Sequence, residues 1–363
     1  MKTMRPTFRT LPFLALLFFT SLFLTLGCSK KSPTSPGGGN WQEATANAAW
    51  SLRYGMGGAV FNGNMWIIGG AWGVSGSVTD YYGGVYNSSD GSQWNQKVGD
   101  SNTSNFGLRY SPGVLSYAGK LWVIGGNQNG TLKNDVWNSL DGTNWSPVVT
   151  AAPIFTPRED FISIVYNGAM YVIGGWDGNA QADIWTSTNG SNWTRIIPAI
   201  NTVAVPNYTL GFTARWGSSA TVFNGLVWII EGDGANPYNT TSLVGTSNGD
   251  AWTFDGTNLK LVGLGSDLGN LPYPMLYHQV TANNGLLWLT PGSAPGGVTY
   301  DDYYTSSDGI NWSSGIQPYL PRCGHVALSY NNSLWVMGGY NNQCWTPGPS
   351  CPVTYYNDVW HTP

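Results

Sequence analysis

The stretch "VYNSSDGSQWN" at residues 85–95 reads as a short apolar strand, a tight turn on Asp90-Gly91 and a tryptophan, Trp94. It returns as "VWNSLDGTNWS" from Val136, "IWTSTNGSNWT" from Ile184 and "YYTSSDGINWS" from Tyr303, with a weaker copy, "VGTSNGDAWT", from Val244. Recurrence at intervals of about 50 to 60 residues marks a repeat architecture, in which each unit buries its apolar face on its neighbours.

Aligning the copies on the turn tryptophan brings a second phrase into register upstream: "FNGNMWIIGG" (61–70), "YAGKLWVIGG" (117–126), "YNGAMYVIGG" (166–175), "FNGLVWIIEG" (223–232), "ANNGLLWLTPG" (282–292) and "YNNSLWVMGG" (330–339). Each opens on an Asn/Gly-rich turn, which supplies the positive φ angles of a two-residue hairpin. An apolar strand and a glycine pair, or its remnant, follow. Before the turn lies a small apolar strand such as "GGAVF" or "ISIVY". Each unit is thus four short strands with no helical periodicity. Repeated radially, such units predict an all-β chain: a six-bladed β-propeller of four-stranded antiparallel blades. The sixth unit stops at "NDVWHTP" (357–363), without its turn and tryptophan, while "NWQEATA" (40–46) matches "NWTRIIPA" (192–199). The N-terminus is therefore expected to supply the missing outer strand and close the ring over residues 40–363. In this scheme Asp90-Gly91, Asp141-Gly142, Asn189-Gly190, Asn248-Gly249 and Asp308-Gly309 are hairpin turns, and Trp94, Trp145, Trp193, Trp252, Trp312 and Trp41 pack between blades.

The order Arg, small apolar strand, "YVIGG", aromatic strand, Trp resembles the kelch-repeat family over the whole of 40–363. The match is close in the first three units and the sixth, and degraded where Glu231-Gly232 and Pro291-Gly292 replace the glycine pair. The turn phrase also resembles the Asp box of sialidase propellers but is one residue shorter, since Gly91 directly follows Asp90. Lys2, Arg5 and Arg9 followed by an apolar run from Leu11 to Leu26 form a signal-like segment over 1–27. Its end, "LTLGC", resembles a bacterial lipoprotein processing box, with Thr25 where a branched aliphatic is commoner. The resemblance implies lipidation of Cys28, a flexible tether over 28–39, and, since Ser29 rather than Asp follows Cys28, an outer-membrane destination in the bacterial envelope. The membrane would be reached through the lipid alone.

Beyond Trp41 the chain holds ten basic and all nineteen acidic residues, so its surface repels phosphate backbones and nucleic acid is excluded as a partner. Thirteen residues before the strand aromatic, five units carry arginine (Arg53, Arg109, Arg158, Arg215, Arg322) and the fifth carries Met275. A propeller sets these positions around one mouth of its channel, where guanidinium forks suit a carboxylate ligand. The competing expectation is architectural: Asp135, Asp183, Asp302 and Asp358 recur two residues before the third-strand aromatic and could pair with them. Trp72, Trp176, Asp177, Tyr238, Tyr340 and Trp345 lie in the loops of the same face, and aromatic platforms with polar neighbours suit sugars. Glu231, in a glycine's place beside the channel, is the candidate acid or base. His278 and His325 hold equivalent positions but lack a third ligand, so no metal or other cofactor is expected. Of the remaining cysteines, Cys344 and Cys351 are the first choice for a disulfide, and Cys323 with Cys344 the alternative. Two functions compete. One is a monomeric, non-catalytic binding protein for a glycan or protein, possessing an anionic ligand if the arginines face it. The other is a sugar enzyme, because sialic-acid mutarotases are exported six-bladed kelch propellers acting on a carboxylated sugar.

Overall fold

The computed structural model describes residues 41–363 apart from 75–76, 104, 197–198, 202–211, 235–248, 270, 272–274, 295–298 and 342–352. Cys28, the signal-like segment, the tether, Tyr238, Cys344, Trp345 and Cys351 lie outside the described residues.

Six antiparallel sheets form the blades of a β-propeller, with a fold that fits a kelch-type propeller at this coarse level. Blade one shows the order from axis to rim: Gly57–Phe61, Asn64–Ile68, Val85–Ser88, Asn95–Val98. The innermost strands Gly57–Phe61, Gly113–Tyr117, Ile162–Tyr166, Ser219–Phe223, Gln279–Asn283 and Val326–Tyr330 touch in cyclic sequence, the last against the first. The seam lies where expected. Gln42–Thr45 pairs with Thr354–His361, setting Gln42 opposite His361 and Glu43 opposite Trp360. Trp41 meets Trp288, Tyr303 and Tyr319 edge-on at centroid distances of 6.3, 5.9 and 5.3 Å. Among the described residues the frame also carries a hairpin, Ala71–Val74 with Ser77–Tyr81, a fifth strand in blade four, Ala199–Asn201, parallel to Asn258–Leu264, and a short 3-10 turn, Gly265–Leu268.

The repeated turn is a clasp between blades. Ser88 Oγ accepts the Gly91 N–H at 2.8 Å, Asp90 Oδ1 accepts those of Ser92 and Gln93 at 2.8 and 2.9 Å, and Trp94 Nε1 donates to the Gly91 carbonyl at 2.9 Å. Gly91 has φ +73°, and a Cβ there would come 2.0 Å from the indole of Trp335 in the preceding blade. Gly142 lies equally close to Trp66, Gly190 to Trp122 and Gly309 to Trp228. Glycine is required twice over, by the left-handed turn and by the ring stacked on it. The cores are accordingly built between blades, as where Ile162, Tyr171 and Ile184 meet Val227, Ile229, Trp252 and Phe254.

Blade four corrects one expected register. The sequence places its outer turn at Asn248-Gly249 and its turn tryptophan at Trp252; Trp252 lies in the third strand, Asp250–Phe254, and packs between blades from there. Its Nε1 donates to Asp250 Oδ2 at 2.7 Å, just as Trp137, Trp185 and Trp360 donate to Asp135, Asp183 and Asp358. The turn is Asp255 to Asn258, with Asp255 Oδ1 accepting the N–H groups of Thr257 and Asn258 at 2.8 and 2.6 Å. Leu259, fully buried, stands in for the tryptophan. The blade is one residue shorter between its third-strand aromatic and its turn, and that shift hid the match.

Candidate functional site

The ring arginines do not present themselves to a ligand. All five are at most 1% exposed, and each guanidinium is held by an aspartate. Arg109 grips Asp135 bidentately at 2.7 and 3.0 Å, Arg158 grips Asp183 at 2.5 and 3.0 Å, Arg215 grips Asp250 at 2.9 and 2.9 Å, and Arg322 grips Asp358 at 2.5 and 2.9 Å. Arg53 takes its partner, Asp100, from beyond the outermost strand of its own blade. The same arginines donate to the carbonyl of the first residue of the glycine pair: Gly69, Gly125, Gly174, Glu231 and Gly338. Burial alone would lift Asp100, Asp135 and Asp183, but the guanidinium hydrogen bonds and charge outweigh it and hold these carboxyls below their ordinary range. The expected partner Asp302 belongs to the blade with Met275 and no arginine. Burial and Asp301 hold its carboxyl above the ordinary range. The missed partners are Asp100 and Asp250.

Glu231 is fully buried, with φ +47°, and its carboxyl lies beside the Met275 backbone N–H without forming a well-aligned hydrogen bond. A Cβ added at the equivalent Gly69 or Gly174 would approach the backbone carbonyl of the next blade's arginine to 2.4 or 2.7 Å. The blade after Glu231 is the one with Met275, so the two departures from the frame meet at one boundary. Burial, reinforced by Asp250, holds the Glu231 carboxyl well above its ordinary value. Folded, it keeps its proton to higher pH than the unfolded chain does. It therefore favours the fold fully below the ordinary glutamate value and penalises it progressively as pH rises through the folded one. Glu231→Gln should flatten part of the fall in melting temperature between weakly acidic and alkaline pH. Parallel wild-type and variant curves would overturn this assignment.

The residues that do converge are the two after each arginine position. The second of them adopts left-handed φ in all six blades: Gly55, Gly217 and Gly324, but also Ser111 (+50°), Asp160 (+54°) and Tyr277 (+56°). Their backbones form a chain of hydrogen bonds around the axis. Ser111 N–H donates to Gly55, Gly55 to Gly324, Gly324 to Tyr277, Tyr277 to Gly217 and Gly217 to Asp160, all at 2.8–3.0 Å. At the remaining junction the Ser111 hydroxyl donates to Asp160 Oδ1 at 2.5 Å, while Tyr277 Oη reaches Asp160 Oδ2 at 3.3 Å from the far side. Three of six blades thus accept a strained side chain where the others use glycine, and all three side chains meet at Asp160. Such strain gathers at functional positions.

The first residue after each arginine position adds Tyr54, Tyr110, Glu159 and Trp216 to the same mouth. Tyr54 lies 5.2 Å from Tyr110, 4.6 Å from Tyr340 and 5.6 Å from Tyr355, ring to ring, and Trp72 extends this group at 6.0 Å from Tyr355. Opposite, Trp216 lies 5.9 Å from Trp176 and 5.6 Å from Tyr277. Glu159 and Asp160 stand between the two groups. Burial and the charge of Asp160 hold the Glu159 carboxyl above its ordinary range, and burial lifts Asp160 too, opposed by the bonds from Ser111 and Tyr277. Below lies an axial cavity of about 180 Å³ whose wall includes Tyr54, Tyr110, Asp160, Tyr277, His278 and His325. His278 Nε2 is 3.1 Å from the Ile230 carbonyl, and His325 Nε2 is 2.7 Å from Thr290 Oγ1.

Of the sequence-predicted site residues, Trp72, Trp176 and Tyr340 reach this mouth. Asp177 is spent on its own loop, accepting from Thr156 Oγ1 at 2.7 Å and Gln181 Nε2 at 2.8 Å. Cys323 is a buried free thiol, which burial pushes up to about 12, while Cys344 and Cys351 lie outside the described residues. Sequence reasoning missed Tyr54, Tyr110, Glu159, Asp160, Trp216 and Tyr277. The signal was present one and two places past the aligned arginines, where Tyr-Gly, Tyr-Ser, Glu-Asp, Trp-Gly, Leu-Tyr and Cys-Gly vary on a constant frame. Comparison with known proteins finds no family model that matches the chain, and no curated protein similar to it at a significant level.

Proposed function

We propose that the protein is an exported, lipid-anchored binding protein of the bacterial envelope, of kelch-repeat type, that captures a glycan at the mouth around Asp160. The observation that carries this reading is the pairing of two aromatic groups with a carboxyl pair between them. Sugar rings stack their C–H faces on aromatic side chains, and their hydroxyls bind carboxylates bidentately. A carboxylated sugar fits less well, because the five arginines that would have received it are buried and already paired.

A glycan array probed with the purified mature protein tests this reading. Trp176→Ala and Trp216→Ala should each weaken a hit about tenfold or more if their rings stack on it, with Lys97→Ala, on the outer strand of blade one, as the neutral control. Binding only to protein partners, or hits untouched by both substitutions, would overturn it. A second reading, a sugar isomerase, draws on Glu159 and Asp160, whose raised carboxyls hold a proton close to where general acid–base chemistry needs one. An anomerisation assay on any sugar bound decides between them. The anchor rests on "LTLGC" and the Gly-rich segment after it. Cys28→Ser should move the protein from the membrane to the soluble fraction, and unchanged membrane fractionation would remove the anchor from the proposal.

A further inference from the structure

We infer that one hydroxyl of the bound glycan completes the ring of backbone hydrogen bonds around the axis, accepting from the Asp160 N–H and donating to the Ser111 carbonyl. The inference rests on the reading of this mouth as a glycan site and adds the group by which the sugar is recognised there. Five junctions of the ring are closed, at 2.8–3.0 Å: Ser111 to Gly55, Gly55 to Gly324, Gly324 to Tyr277, Tyr277 to Gly217 and Gly217 to Asp160. By the same pattern the sixth would run from the Asp160 N–H to the Ser111 carbonyl. Among the described residues, neither of these two groups has a hydrogen-bond partner.

The residues at each junction explain why the ring stops here. Every closed junction includes a glycine, Gly55, Gly217 or Gly324, which lets two left-handed backbones approach without a Cβ on each side. At the sixth both residues carry side chains, Ser111 at φ +50° and Asp160 at φ +54°. Those side chains span the junction instead, with Ser111 Oγ donating to Asp160 Oδ1 at 2.5 Å. The N–H and the carbonyl beside that bond are left to a group from outside the protein. Both residues are half-buried and both line the axial cavity, so a sugar entering between the two aromatic groups meets them. A single atom that bridges an N–H to a carbonyl must accept and donate at once. A hydroxyl oxygen does both, whereas a carboxylate or ring ether oxygen only accepts and an ammonium only donates. The junction therefore selects a hydroxyl, and the sugar that supplies it ties blade two to blade three at the axis.

Amide hydrogen exchange of the purified, ¹⁵N-labelled mature protein tests this. Without sugar, the Asp160 amide should exchange about tenfold or more faster than those of Gly55, Ser111, Gly217, Tyr277 and Gly324. D-glucose, D-galactose and D-mannose are the probes. At least one should slow the Asp160 amide to the level of the other five. Among the monodeoxy analogues of that sugar, one should bind about tenfold more weakly and leave the amide fast. The deoxyfluoro analogue at the same carbon should fail alike, because fluorine cannot donate to the Ser111 carbonyl. Ser111→Gly, which gives the sixth junction its glycine, should protect the Asp160 amide without sugar and weaken sugar binding about tenfold. The wild-type measurements decide the matter even if that variant does not fold. An Asp160 amide already as slow as the other five, or one that none of the three sugars slows, would overturn the hydroxyl and leave the glycan reading standing. A glycan array without hits at this mouth would end both.

Discussion

Without residues 40–46 the propeller should lose most of its stability. The segment supplies the outer strand of the sixth blade, through Gln42 opposite His361 and Glu43 opposite Trp360. It also carries Trp41, whose edge-on contacts with Trp288, Tyr303 and Tyr319 tie that blade to the fifth. Removing a packed tryptophan typically costs about 3–5 kcal/mol, and lost strand pairing adds to it. The whole stability of a folded domain is about 5–15 kcal/mol, so the truncated chain should unfold far below the wild type or fail to fold cooperatively. Thermal melts followed by near-ultraviolet circular dichroism read this directly. Trp41→Ala alone should show a graded part of the same loss. A truncated protein with an unchanged melting temperature would mean that the seam contributes nothing.

Replacing the ring arginines by methionine, the residue that blade five already uses, should destabilise in an order set by how deeply each aspartate is left behind. Breaking a buried ion pair by removing one partner costs about 3–5 kcal/mol, because the remaining charge stays desolvated. Asp250 is 6% exposed and Asp135 38%, so Arg215→Met should be the most damaging and Arg109→Met the mildest. Arg215→Met also leaves Asp250 beside buried Glu231 with no cation between them. Adding Asp250→Leu to Arg215→Met should recover part of the loss, since no unpaired charge is then buried. Chemical denaturation of the five single variants and this double variant gives the order. A flat series, or no recovery in the double variant, would overturn the account of the ring as mutually compensated ion pairs.

The blades were legible because their chemistry is local. A left-handed glycine after Asp90 or Asp141 and a tryptophan three residues later are requirements of one turn, and they reappear wherever that turn does. The closing strand was legible for the same reason. Blade four was misread because a single residue lost between Trp252 and Asp255 slid the phrase onto Asn248-Gly249. The ion pairs were half legible: the aspartates in register announced themselves, whereas Asp100 comes from outside the register and Asp250 was hidden by the slip. The mouth was legible least. Ser111, Asp160 and Tyr277 come from three blades, and nothing local to any of them says that the other two are within reach. Only the ring geometry brings them together.

The seam also fixes an order of events in time. Among the propeller's described strands Gln42–Thr45 is made first, and its partner, Thr354–His361, is made last. The closing contacts span almost the whole propeller, the kind of long-range pairing that comes late and slowly in folding. Until then the sheet that will receive it has an open edge, and the strand itself waits. Its sequence suits the wait: four residues long, with Gln42 and Glu43 exposed even in the finished fold, it is too short and too polar to recruit a wrong partner.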